Sequence, residues 1–183
     1  MKLLDHASRV VLGAALVLGI PLSASVRAAD LPPLSHSLTS QTAKAAPALR
    51  LKDLDGQMLD LAQLKGKVVL INFWATWCPP CRREMPSMER LSRALAGEAF
   101  GVLAVDVGED ADTITAFTSQ LDTPLGFPIL LDTRSRVMQD WKVAGLPTSF
   151  LVDRQGRIVA SAVGGREFDH PDIVQAIRDL LRK

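Results

Sequence analysis

Apolar and polar positions change rhythm along this chain in a way that predicts alternating strands and helices. Residues 48–54 and 58–61 flank Asp55-Gly56, a dipeptide suited to a tight hairpin turn. Residues 68–74 are apolar apart from Asn72 and rich in β-branched and aromatic side chains, the mark of a strand covered on both faces. After Cys78 the period lengthens: Met88, Leu91 and Leu95 recur at helical spacing, and Gly97 supplies a stop. Residues 100–107 read as a second buried strand. Ile114, Phe117 and Leu121 give one face of a helix that ends before Pro124. A short strand at 129–131 and a short helix at 134–141 follow, then a hairpin of 148–152 with 157–163 about Arg154-Gln155-Gly156. The last helix opens at Pro171, tolerated in a first turn, and carries Ile173, Ile177 and Leu180 on one face. The predicted class is α/β, a sheet with helices on both sides, and no internal repeat interrupts it.

The ends of this pattern define the expected organisation. Lys2 and Arg9 precede an uncharged apolar stretch at 10–20, broken by Pro21 and followed by small residues up to Ala28 and Ala29. That order fits a secretory signal with cleavage after Val26-Arg27-Ala28. A membrane anchor is the alternative, although a spanning helix needs about 20 apolar residues and this stretch falls short. Residues 1–29 are thus expected to be a signal peptide or N-terminal anchor, with the remainder periplasmic or otherwise outside the cytoplasm. Residues 30–47, rich in Pro, Ser, Thr and Ala with no sustained apolar period, read as a flexible linker. The domain is expected at 48–183.

Composition narrows the chemistry. Apolar residues make up 48% of the chain and its net charge is +1, which suits a globular core and gives no reason to expect nucleic acid as a partner. With three histidines, His36 in the linker and His170 standing alone, a built-in metal centre is not expected, nor is any cofactor. There are only two cysteines, both in Cys78-Pro79-Pro80-Cys81. Zinc would require a second ligand pair, and a bridge across so short a loop removes little unfolded-chain entropy. The pair therefore reads as redox-active.

Position supports that reading. Cys78 should cap the helix that follows the strand at 68–74, where unpaired amides and the positive end of the helix dipole favour a thiolate. The thiolate is the nucleophile. Cys81 lies one turn later on the same face, within reach of a mixed disulfide on Cys78. Pro79 and Pro80 fit the first turn but withdraw two amide donors from the Cys78 sulfur, which predicts milder thiolate stabilisation and a reducing protein. Trp77 either shields part of the nucleophile or packs at the domain edge. Pro86 would bend the helix.

The run from Phe73 to Pro86, with Trp77-Cys78-Pro79-Pro80-Cys81 at its centre, resembles the TlpA/ResA branch of the thioredoxin superfamily. So does Gly145-Leu146-Pro147-Thr148-Ser149-Phe150, followed by Asp153 and Gly156. The resemblance spans about 48–183. It implies a thioredoxin fold with an N-terminal β-hairpin and a strand–helix insertion between the dithiol and Pro147. It further implies that Pro147 is a cis-proline facing the dithiol, and that Leu146 docks extended substrate backbone. Asn72 departs from ordinary thioredoxins, which place a buried Asp there. Glu84 is the candidate substitute for proton handling, as in ResA-like proteins, or else a solvated residue paired with a nearby arginine.

The expected activity is thiol–disulfide exchange with exported protein cysteines, reductive in direction, by a monomer re-reduced by a membrane thiol reductase. By analogy the substrates are haem-site cysteines of apocytochrome c or copper-site cysteines. Two alternatives carry less: a Cu(I)-holding thiol module, for which no third soft ligand is apparent, and a peroxide reductase, whose Pro-x-x-x-Thr-x-x-Cys pattern is missing.

Overall fold

The computed structural model describes residues 33–183; the expected signal or anchor lies outside the described residues. The elements, in chain order, are strands β1 (Thr39–Ala45), β2 (Arg50–Lys52), β3 (Met58–Asp60) and β4 (Val68–Trp74), helix α1 (Pro79–Ala94), β5 (Phe100–Val107), α2 (Ala111–Thr118), β6 (Ile129–Asp132), α3 (Arg136–Asp140), β7 (Thr148–Val152), β8 (Arg157–Val163) and α4 (Pro171–Leu181). Six strands form one sheet in the order β1-β8-β7-β4-β5-β6, and β2 pairs with β3 in a separate hairpin. β4 runs parallel to β5 and antiparallel to β7, so it occupies the middle of the sheet.

β4 is buried at every position because it feeds two cores. Val68, Leu70 and Trp74 point to a layer with Met85, Met88 and Leu91 of α1, Ile114 and Phe117 of α2, and Ile173 and Ile177 of α4. Val69, Ile71 and Phe73 point the other way, to Leu49, Leu61, Val137 and Trp141. The period-two alternation of side chains across a strand divides one apolar run between two layers. The expected thioredoxin-like sheet with helices on both faces is thus present, as are the N-terminal hairpin and the β5–α2–β6 stretch between the dithiol and Pro147.

Three expectations need correction. The segment read as a flexible linker holds β1, which pairs antiparallel with β8. Its side chains are exposed at nearly every position, so it has no apolar period to reveal it; backbone pairing at the sheet edge holds it instead. Further upstream, the Ser35 N–H donates to the Gly165 carbonyl and the Ser35 carbonyl accepts from Glu167 N–H. The second correction is that α2 ends at Thr118, and Leu121 joins the core from beyond its end. The third is that α3 begins after Ser135, whose φ of 52° cannot continue a helix from Arg134.

Phe168, between β8 and α4, is fully buried against the α1 side of the core, and its N–H donates to Ser87 Oγ at 3.0 Å. Phe168→Ala is expected to lower the unfolding free energy by about 3–5 kcal/mol, the range for deleting a buried aromatic ring, as read from urea denaturation of the oxidised protein.

Candidate active site

The site grows from the end of β4. Cys78 is the N-cap of α1 with extended backbone angles, and Pro79 and Pro80 take the first helical positions. The loop is tied locally: Cys78 N–H donates to the Ala75 carbonyl at 3.2 Å, and Arg82 N–H to the Cys78 carbonyl at 3.1 Å. Cys78 and Cys81 are joined by a disulfide, with Cα atoms 5.3 Å apart. Cys78 is 3% exposed and Cys81 0%, so the little surface the pair offers belongs to Cys78. Pro86 lies inside α1, as expected.

The Leu146–Pro147 peptide is cis. Phe73 pairs with Thr148, which sets Pro147 level with Trp74, where the chain leaves β4 for the dithiol. Pro147 is buried and Leu146 half-buried. Beside this loop a cleft of ≈ 570 Å³ is lined by Trp141, Val143, Gly145, Thr148, Phe150 and Val163, among others. Trp77 remains 66% exposed, so it does not pack at the domain edge.

Glu84 is fully buried one turn beyond Cys81, which overturns the alternative of a solvated residue paired with an arginine. Its Oε1 accepts from Asn72 Nδ2 at 2.7 Å and its Oε2 from the Arg166 N–H at 2.9 Å. Asn72 Nδ2 also donates to Ser149 Oγ at 2.9 Å, while Asn72 Oδ1 has no hydrogen-bond partner among the described residues. Burial pushes the Glu84 carboxyl up to about 8, against the lowering influence of the Arg166 N–H, the Asn72 amide and the Arg166 charge.

A second acidic group supports the loop before Cys78. The Glu109 carboxylate accepts from both the Thr76 N–H and the Thr76 hydroxyl, each at 2.6 Å. Asp106, fully buried at the end of β5, accepts from the Glu109 N–H at 3.3 Å. Burial raises Asp106 to about 8, helped by its side-chain hydrogen bond with Glu109 and by the charges of Glu109 and Asp132. The sequence reading missed Thr76, Asp106, Glu109, Ser149 and Arg166. A lone acidic residue in the apolar run 100–107 was a usable signal for Asp106; the hydrogen bond from Arg166 to Glu84 comes from its backbone, for which no side-chain signal exists. The reading of His170 as isolated is also corrected, since its ring stacks on that of His36.

A family model described as Redoxin matches residues 41–177. The thiol-disulfide oxidoreductase ResA of Bacillus cereus is 38% identical over 124 residues, covering 68% of this chain and 70% of that protein. Among solved structures, a putative thiol:disulfide interchange protein DsbE from Chlorobium tepidum superposes with a TM-score of 0.70 at 31% identity, covering 78% of this chain and 99% of that one. A putative thioredoxin from Neisseria meningitidis superposes at 0.67 with 32% identity, covering 78% and 93%.

The raised carboxyl predicts a pH slope. Folded Glu84 keeps its proton up to about pH 8, whereas the unfolded residue loses it near the ordinary 4.5. Between those values the folded state holds the extra proton, so this contribution is complete below the lower value and is lost as pH rises through the upper one. Glu84→Gln is neutral throughout. Urea unfolding of the oxidised variant from about pH 5 to about pH 8 should show a shallower fall in stability than wild type, the remaining slope of the same sign coming from Asp106.

Proposed function

This chain belongs to the redoxin family of thioredoxin-like proteins and is a thiol–disulfide oxidoreductase of the ResA/DsbE type; from that premise we propose that Cys78 attacks and Cys81 resolves, reducing disulfides of exported proteins. The observation that carries the reading is the disulfide at the head of α1, with Cys78 at the N-cap and Cys81 fully buried one turn on. A substrate reaches the outer sulfur first. The Cys78 thiolate attacks a substrate disulfide, forming a mixed disulfide and expelling one substrate thiolate. Cys81, deprotonated, then attacks Cys78 Sγ, restoring the Cys78–Cys81 disulfide and releasing the second thiolate. Two electrons have passed to the substrate, whose thiolates take up two protons.

Glu84 handles the proton of Cys81, being the buried titratable side chain one turn away on the same helix. Leu146 and Pro147 receive extended substrate backbone, the exposed Trp77 contacts it, and the cleft beside Gly145 and Thr148 accepts its side chains. The apolar N-terminal sequence supports export, by a cleaved signal at 1–29 or a retained anchor, and a working place outside the cytoplasm. There the spent disulfide is re-reduced by a membrane thiol reductase. The substrates are haem-site cysteines of apocytochrome c or cysteines of a copper site, and the enzyme works as a monomer.

Cys81→Ala tests the reading directly. It should stall on mixed disulfides in cells, whose partners are exported proteins with paired cysteines, and lose turnover on a model disulfide; a variant that still turns over sinks it. The reducing direction has its own test. Pro79→Ala or Pro80→Ala restores an amide donor near the Cys78 sulfur, so the Cys78 thiolate should appear at lower pH by ultraviolet absorbance. The reduction potential should rise by on the order of 30 mV.

A further inference from the structure

Away from the dithiol, at the start of α4, two histidines and a carboxylate converge. The rings of His36 and His170 stack with centroids 4.0 Å apart and planes 23° from parallel. Their Nδ1 atoms lie 3.6 and 3.5 Å from the same Asp172 Oδ2. Donor atoms of the three residues all lie within 4.8 Å of one another. We infer that His36, His170 and Asp172 form a binding site for a first-row divalent ion that accepts imidazole, with Zn²⁺ as its representative.

Distance is the first argument. Separations of 3.5 and 3.6 Å are too long for hydrogen bonds of useful strength. They are close to the edge of a coordination tetrahedron, about 3.4 Å when each ligand stands about 2.1 Å from the ion. A cation would draw these side chains together from donor separations within 4.8 Å, those of His36 and Asp172 being exposed.

The second argument is that the backbones are already positioned. Ser35, next to His36, is held by hydrogen bonds to Gly165 and Glu167, and the Ser37 carbonyl accepts from Arg166 Nε at 2.8 Å. The His170 N–H donates to the Glu167 carbonyl, and the His170 carbonyl accepts from Ile173 and Val174 at the start of α4. Two segments remote in sequence therefore present their imidazoles to one carboxylate without help from an ion. The contact an ion would displace is weak: the Asp172 N–H reaches His170 Nδ1 at 3.3 Å.

The third argument is the donor set. Two imidazoles and one carboxylate suit Zn²⁺, Ni²⁺ or Cu²⁺; Ca²⁺ and Mg²⁺ take oxygen donors, and Cu(I) favours sulfur. Three protein ligands facing solvent leave a position for water. The bound ion would staple the arm carrying His36 to α4.

Calorimetric titration of Zn²⁺ into the untagged, oxidised full chain tests this, because the disulfide keeps both sulfurs from the metal. One equivalent is expected to bind, and His36→Ala, His170→Ala and Asp172→Asn should each weaken binding at least about 10-fold. His6→Ala, replacing the remaining histidine of the chain, should leave it unchanged. Zn²⁺ should also raise the melting temperature of the wild type and not that of the His36→Ala, His170→Ala double variant. Saturation absent up to about 100 μM Zn²⁺, or binding indifferent to these substitutions, would overturn the proposal. Neither result bears on thiol exchange, in which these residues take no part.

Discussion

The buried carboxyl of Glu84 joins parts of the chain that the sequence keeps far apart. Through Oε1 it meets Asn72 of β4, and through Asn72 it meets Ser149 of β7, two residues past the cis-proline. Through Oε2 it meets the backbone of Arg166, after β8. The Arg166 guanidinium continues outward to the carbonyls of Ser37, Gly164 and Gly165, while Ser87 Oγ bonds the Arg166 and Glu84 carbonyls from inside. A carboxyl withdrawn from water is tolerated only if its oxygens are satisfied or it is neutral; here both conditions are met up to about pH 8. Displacing α1, β4, β7 or the 164–167 loop would strand a buried polar atom, so one network sets the mutual position of everything around the dithiol.

The opposite flank of the loop is held by a different acidic arrangement with a related logic. Thr76, two residues before Cys78, gives both its donors to the Glu109 carboxylate. Asp106 lies beneath, and the charges of Glu109 and Asp132 help keep it protonated. At neutral pH the inner carboxyls, Glu84 and Asp106, therefore add little negative charge to the site, while the outer one supplies a firm anchor. In the proposed exchange a sulfur must ionise close by. Neutral inner carboxyls oppose that far less than ionised ones would.

What the sequence displays follows from what is buried on whose account. β4, β5 and α1 were legible because apolar side chains carry their stability, and β4 and β5 match the expected ranges 68–74 and 100–107. β1 was not, since its stability comes from backbone pairing and its side chains face solvent. That one omission hid a second feature: without an ordered arm, His36 had no reason to lie beside His170. For Glu84 the sequence left a proton-handling role and a solvated pairing with a nearby arginine both open; helical geometry turns it inward with Cys81 and Met88. The dithiol and Pro147 were plain because rare residue types at fixed spacing announce themselves. The polar shell behind them was not, because Asn, Ser and a backbone amide are common everywhere.

Burial of Glu84 works against stability as pH rises, and the same burial suits it to the exchange proposed above. A solvated glutamate, ionising near the ordinary 4.5, is a poor match for a thiol that ionises near ~8.5, and proton transfer from the thiol to its carboxylate is steeply uphill. Raised to about 8, the Glu84 carboxyl comes close to the thiol range, and transfer across that gap approaches neutrality. The sulfur that needs such a partner is Cys81, which is fully buried and has water excluded from its side of the disulfide. Cys78, at the helix N-terminus, has the dipole instead. In the proposed exchange the two sulfurs thus draw on different sources of ionisation, one electrostatic and one a matched base. That division gives the proposed exchange its order, with attack from the outside and resolution from within.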